Sequence, residues 1–286
     1  MSIITEKYIN PLTDFGFKKL FGSEPNKNLL IDFLNELLPE RHQIEDLTYT
    51  KNEHLGESDL DRSAIFDIYC TGKSNEKFIV EVQKAKQNYF KDRSVYYASF
   101  PIQEQAKKTN WNFKLTPIYT IGILDFVFDE HKADPEFVHL VELKNQNCEV
   151  FYDKLKFIYI ELPKFTKTIE ELETHFDKWL FILRHLAVLE HPPQKLQQTI
   201  FLQLFEIAEV AKYSKEERAA YHQSKKRYLD INNVVDTAAL EGEEKGRAAG
   251  KIEGLKIVAR NLKSAGMPIQ EIAKNTGLSE SDIEAL

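Results

Sequence analysis

Two short runs with strand-like alternation, separated by a turn, constrain this chain more than any other feature. In 64–70, Ala64, Phe66, Ile68 and Cys70 alternate with Ile65, Asp67 and Tyr69; in 78–83, Phe78, Val80 and Val82 alternate with Ile79, Glu81 and Gln83. Between them, Thr-Gly-Lys-Ser-Asn-Glu offers strong turn chemistry, so the segment is expected to form a β-hairpin. Side chains alternate faces along a strand. Asp67 therefore belongs to the face opposite Phe66 and Ile68, and Glu81 and Gln83 to the face opposite Val80 and Val82. Opposed residues of an antiparallel pair have position numbers with a constant total. Asp67 and Glu81 total 148, which centres the turn on residue 74, inside the turn sequence. Their Cβ atoms would then lie about 4.5–5.5 Å apart.

Like charges at that spacing repel. A divalent cation would reverse the sign of the interaction, because hard cations such as Mg²⁺ are held by one or two carboxylates together with substrate phosphate. Two solvent-facing acids on a polar sheet face are the alternative. The flanking residues bear on the choice. From Lys73 to Lys114 there are nine Lys or Arg and four Asp or Glu, with Tyr89, Phe90, Tyr96, Tyr97 and Trp111 among them. Such a window suits a polyanionic substrate, and it would equally serve as a solvated helix face. Arg93 and Tyr97, four apart, share one face of a helix expected over 86–108, bent or broken at Pro101.

The surrounding pattern is mixed α/β. Residues 11–38 read as helical, capped by Thr13 or Asp14, restarted at Pro25 and stopped by Pro39. Strands are expected at 44–50, 117–128, 137–143 and 155–162, with an acidic loop at 53–61. Helices dominate after 164; Thr168/Glu171 and Ser214/Glu217 have capping-box spacing. The organisation expected is 1–163 as an α/β core, 164–240 as a helical extension packed on it, and 241–286 as a separate tail. Glycine supports the last boundary: five of the eleven fall in 1–241 and six in 242–286.

Composition excludes several classes. A 286-residue chain with 42% hydrophobic residues and a formal charge of -7 is neither disordered nor fibrous. Two cysteines, Cys70 and Cys148, rule out a disulfide framework and a cysteine-rich zinc site. Gly-rich phosphate loops, a G-x-S-x-G elbow and His-Glu-x-x-His are missing, and the eight histidines are scattered. No apolar run approaches the ~18–20 residues of a membrane helix. The opening Met-Ser-Ile-Ile-Thr-Glu-Lys lacks the order of a secretion signal, so a cytoplasmic location without membrane contact is expected.

Taken in order, these elements resemble the PD-(D/E)XK nuclease core, with its restriction-endonuclease-like mixed sheet flanked by helices, here followed by a helical C-terminal part. More closely, the chain resembles the recombination-promoting nuclease (Rpn) and transposase branch of that superfamily. The residues that carry the likeness are Thr13-Asp14-Phe15-Gly16-Phe17-Lys18-Lys19-Leu20-Phe21, Phe66-Asp67-Ile68, Val80-Glu81-Val82-Gln83 and Arg93-Ser94-Val95-Tyr96-Tyr97, within about 11–240. The resemblance implies metal-dependent cleavage of DNA phosphodiesters in recombination or transposition. Asp67, Glu81 and the Val82 carbonyl would bind Mg²⁺ (or Mn²⁺). Gln83 stands where the superfamily pattern has lysine, a replacement shared by many members of this branch. Glutamine can hydrogen-bond a water or a phosphate but brings no charge. Lys18 or Lys84 would supply that charge, Arg93 and Tyr97 would line the substrate groove, and Asp14, Asp32 or Glu36 would add a helix-borne acid. A catalytically silent DNA- or protein-binding module on the same fold is the rival reading.

In the tail, Gly242, Gly246, Gly250 and Gly254 recur every four residues. On a helix they form one small-residue stripe, and each costs roughly 1 kcal/mol relative to alanine. Close approach of a second helix would compensate, so a homodimer through 241–286 is expected, against the alternative of a flexible linker. Leu262, Gly266, Ile272, Ala273, Gly277, Leu278, Ile283 and Leu286 look similar to a helix-turn-helix, with Ser279 capping its third helix. That helix lacks Arg, Lys, Asn or Gln for reading bases, which favours protein packing over DNA contact.

Overall fold

The structure is a computed structural model, and it describes residues 6–39, 43–50, 53–54, 64–106 and 112–286. The chain divides into two compact units, Met1–Leu229 and Asp230–Leu286. The first ends about ten residues before the boundary read from glycine usage. The reason is that the α/β layers and the helices after 164 share one apolar core, which reaches as far as Tyr221.

A six-stranded mixed sheet organises the first unit. Its strands are β1 (Leu47–Tyr49), β4 (Ile68–Gly72), β5 (Lys77–Gln83), β6 (Ile118–Leu124), β7 (Val138–Lys144) and β8 (Val150–Glu161), in the order β1-β4-β5-β6-β8-β7. A separate two-stranded ribbon joins β2 (Glu53–His54) to β3 (Ala64–Ile65). The remainder of the acidic loop, 55–61, and Trp111 lie outside the described residues. The expected hairpin forms in the expected register: Ile68 opposes Val80, Tyr69 Ile79, Cys70 Phe78 and Thr71 Lys77, each pair totalling 148. Asn75 takes the left-handed conformation the turn needs, with φ 70°. Strands β5, β6 and β8 run parallel, and β1, β4 and β7 complete the sheet antiparallel.

Period-two alternation sorts the side chains into two cores. Phe78, Val80, Tyr119, Ile121, Ile123, Ile158 and Ile160 face one side, against α1 (Asp14–Phe21), α2 (Lys27–Asn35), α4 (His175–His185) and α5 (Thr199–Ala208). There Trp179 is fully buried among the rings of Phe21, Phe33 and Phe201. Thr13 caps α1 by accepting from the Gly16 N–H at 3.0 Å. Position 16 must be glycine, because a Cβ there would lie 2.1 Å from the Asn10 carbonyl oxygen. The other face of the sheet carries Ile79, Leu124, Phe157 and Tyr159 against α3 (Phe90–Ala106). This helix runs through Pro101 without the break that was one of the two outcomes expected there. Its neighbours Ala98 and Gln105 are buried, and the Gln105 side-chain amide donates to the Pro101 carbonyl at 3.1 Å.

The second unit holds the later part of α6 (Lys215–Ser264), α7 (Ile269–Thr276) and α8 (Glu280–Glu284). Ala259, Ile272 and Ile283 form its small core, with Leu262, Met267, Ala273, Leu278 and Leu286 packed around them. Gly266 and Gly277 turn the chain at positive φ, 82° and 72°, and Ser279 caps α8 by accepting from the Asp282 N–H. Among the described residues, no helix is long and apolar enough to cross a membrane.

Candidate active site at the end of the central hairpin

The hairpin ladder stops at Ile68, and the chain bends at Asp67. The bend has a local cause. Lys77 donates its N–H to the Pro117 carbonyl and Gln83 accepts from the Asp125 N–H, so the odd-numbered backbone groups of β5 face β6. The even-numbered ones therefore face β4. Beyond Ile68 the Val82 N–H has no strand opposite it. The Asp67 carboxylate takes that place, with Oδ2 accepting from Val82 at 2.8 Å. In return, the Asp67 N–H donates to Glu81 Oε1 at 3.1 Å. By the same alternation the Val82 carbonyl lies on the Asp67 side of β5.

Glu81 thus holds the Asp67 backbone, and Asp67 holds the residue after Glu81. The bend also overturns one detail of the alternation. Phe66 packs with Tyr69, Ile79 and Tyr97 on the α3 side, so it is not on the face with Ile68.

Both carboxyls are half-buried, and their electrostatics reflect it. Burial raises the pKa of Asp67, against the lowering effect of the Val82 hydrogen bond and of Lys18 and Arg93, while Asp14 raises it further. Burial, followed by the charge of Asp67, pushes Glu81 up to about 8, again against Arg93 and Lys18. Two acids that resist ionisation together at neutral pH are suited to a shared cation.

The groups that act on the pair come from both sides of the sheet. Asp14 and Lys18 stand one turn apart on α1 and form an ion pair of 2.6 Å. Arg93 reaches in from α3, with its guanidinium 5.7 Å from the centre of the Tyr97 ring. Tyr97 is itself raised by burial and then by the charge of Glu81. A cavity between α3 and the sheet is lined by Glu81, Arg93, Ser94, Tyr97, Thr120 and Gly122, among others. Thr120 and Gly122 are contributed by β6. The Thr120 hydroxyl is buried and has no hydrogen-bond partner among the described residues. Gly122 sits beside Glu81 in the ladder, where a Cβ would come within 2.9 Å of the Tyr159 ring.

Of the residues singled out in the sequence, Asp67, Glu81, Val82, Gln83, Lys18, Arg93 and Tyr97 are brought together, and of the three helix-borne acids Asp14 is the one whose charge acts on Asp67. Asp32 is engaged elsewhere. Its Oδ1 accepts from Trp179 Nε1 at 2.7 Å and lies 2.6 Å from His175 Nε2, which ties α2 to α4. Glu36 is exposed just after α2. The Lys84 ammonium lies over the Tyr228 ring, and its charge acts on Asp125.

Gln83 is positioned more tightly than the sequence suggested. Its Oε1 accepts from Arg93 at 2.5 Å and its amide donates to the Ala85 carbonyl at 2.9 Å. Arg93 thus brings a cation into contact with the residue at the missing lysine's place. Thr120, Gly122 and Arg93's grip on Gln83 were not visible in the sequence, because each depends on which strand or helix lies alongside β5.

Comparison with known proteins agrees with this architecture. The sequence model of the PD-(D/E)XK nuclease family transposases matches residues 11–238, a span that includes α1, the hairpin, α3 and the parallel strands. No curated protein and no solved structure matches the chain.

Proposed function

Because the chain belongs to the PD-(D/E)XK nuclease family transposases, we propose that it is a divalent-metal-dependent endonuclease that hydrolyses DNA phosphodiester bonds in recombination or transposition. The observation that supports this most is the pair of half-buried acids at the end of the central hairpin, with Glu81 held up to about 8 and basic groups on both flanks. Asp67, Glu81 and the Val82 carbonyl would hold Mg²⁺ or Mn²⁺. Once bound, the cation lowers the pKa of a coordinated water and offsets charge on the phosphoryl oxygens.

The remaining chemistry falls to the chain itself. Arg93 and Lys18 provide the positive charge that a phosphodiester needs, Arg93 in place of the lysine absent at position 83. Gln83, oriented by Arg93, presents a polar group for hydrogen bonding to water or phosphate. Tyr97 offers a ring beside the Arg93 guanidinium for packing against the substrate. The proposal extends to a homodimer through 241–286, which would present one active site to each DNA strand, and to a cytoplasmic location. A Cβ at Gly242, Gly246, Gly250 or Gly254 would meet nothing within 4 Å, so the stripe is open to a partner helix.

One observation favours a second reading. Both ends of the Gln83 amide are already engaged, by Arg93 and by Ala85, which also suits a binding module without catalysis. Nicking of supercoiled plasmid with Mg²⁺ or Mn²⁺, by wild type and Asp67→Asn, separates the two. The proposal requires cation-dependent nicking that the variant loses. Equal nicking by both proteins, or none by either, removes it.

A further inference from the structure

At the same C-terminal end of the parallel strands, two strands across the sheet from Gln83, three residues from separate elements converge. Glu161 closes β8 and is fully buried. His139 lies on the edge strand β7, opposite Tyr159. His131 ends a short 3₁₀ turn, Asp129–His131. Glu161 Oε1 lies 3.2 Å from His131 Nδ1, and Oε2 lies 3.1 Å from His139 Nε2. The imidazoles stack with centroids 3.9 Å apart, so both rings present one nitrogen to the same carboxylate. All three donor atoms fall within 4.8 Å of one another.

We propose that His131, His139 and Glu161 form a second metal site, selective for a borderline first-row cation of the Zn²⁺ class and distinct from the Asp67–Glu81 site. The donor set is the argument. Two imidazoles and one carboxylate suit Zn²⁺, which takes nitrogen and oxygen at about 2.0–2.2 Å, whereas Mg²⁺ and Ca²⁺ demand oxygen. Tetrahedral bonds of that length put neighbouring donors about 3.3 Å apart, close to the two separations seen. Binding requires each imidazole to turn a ring-nitrogen lone pair, not an N–H, toward the metal.

Two further groups contact the carboxylate. The Phe128 N–H donates to Glu161 Oε1 at 2.8 Å and fixes the carboxylate. Lys164 stands 2.6 Å from Oε2 and also donates to the Glu136 carbonyl. Its charge opposes a dication and sets the affinity below that of an uncontested site. The site would pin the loop after β6 to the edge of the sheet. Asp129 and Glu130 of that loop contact Lys86 and Lys91, which flank the entry to the helix carrying Arg93.

Co²⁺ is the probe, added to the full-length chain and followed by its visible ligand-field absorption, with Zn²⁺ as competitor. Wild type and Asp67→Asn should show the same intense low-symmetry band, displaced by Zn²⁺ and not by Mg²⁺. His139→Ala and His131→Gln should each weaken binding by more than about 100-fold, and Lys164→Gln should tighten it about tenfold. Circular dichroism of the variants identifies any that do not fold, and either histidine variant suffices. A band that survives in the folded histidine variants, disappears in Asp67→Asn, or never forms in wild type overturns the proposal.

Discussion

Replacing Glu81 by glutamine should stabilise the metal-free protein at alkaline pH and leave it nearly unchanged at acid pH. The structure supplies the magnitude. Burial and the neighbouring Asp67 carry the Glu81 carboxyl from 4.5 to about 8. A carboxyl raised in the folded state contributes stability that is whole below its unfolded value and is lost as pH rises through its folded value. For Glu81 that window runs from 4.5 to about 8. At pH 8 a shift of this size corresponds to about 4 kcal/mol, at about 1.4 kcal/mol per unit.

Glutamine removes the ionisation and keeps an oxygen to accept from the Asp67 N–H, so the net gain expected is about 2–4 kcal/mol. At roughly 2–4 °C per kcal/mol for a chain of this size, Tm should rise by about 4–16 °C. The assay is thermal unfolding in chelator at pH 8 and at pH 4.5, where protonated glutamate and glutamine are near-isosteres. With Mg²⁺ in place of the chelator, the Tm of wild type at pH 8 should rise and that of Glu81→Gln should not. A variant destabilised equally at both pH values would refute the reasoning, since it would mean that Glu81 acts only as a hydrogen-bond acceptor.

Three further outcomes follow from the same geometry. Gly122→Ala forces a Cβ against the Tyr159 ring at 2.9 Å and should cost about 1–3 kcal/mol by denaturant unfolding. Arg93→Met leaves Gln83 without its donor and should reduce DNA affinity with a shallower salt dependence, read by fluorescence anisotropy at several ionic strengths. Deleting 241–286 should take the species found by light scattering from dimer to monomer, and an unchanged number of chains per particle would remove the dimer.

The hairpin was legible because two local rules agreed: the period-two alternation and the turn chemistry at 71–76 fix the same register, and the ladder keeps it from Ile68 to Thr71. What escaped the sequence was set by tertiary neighbours. Phe66 crosses to the α3 side because the Asp67 side chain replaces a ladder partner and bends the strand. Pro101 stays helical because its surroundings are packed. Lys84, adjacent to Gln83 in sequence, is drawn to the Tyr228 ring contributed by a helix far along the chain. His131, His139 and Glu161 are scattered in sequence and meet only because β7 and β8 pair.

Calorimetric titration of Mn²⁺ into wild type and Asp67→Asn tests the central claim most directly, since it asks whether the hairpin acids hold a cation regardless of whether any DNA is cut. The account predicts saturable binding to wild type and its loss in a folded Asp67→Asn protein. Indistinguishable isotherms for the two proteins would contradict it.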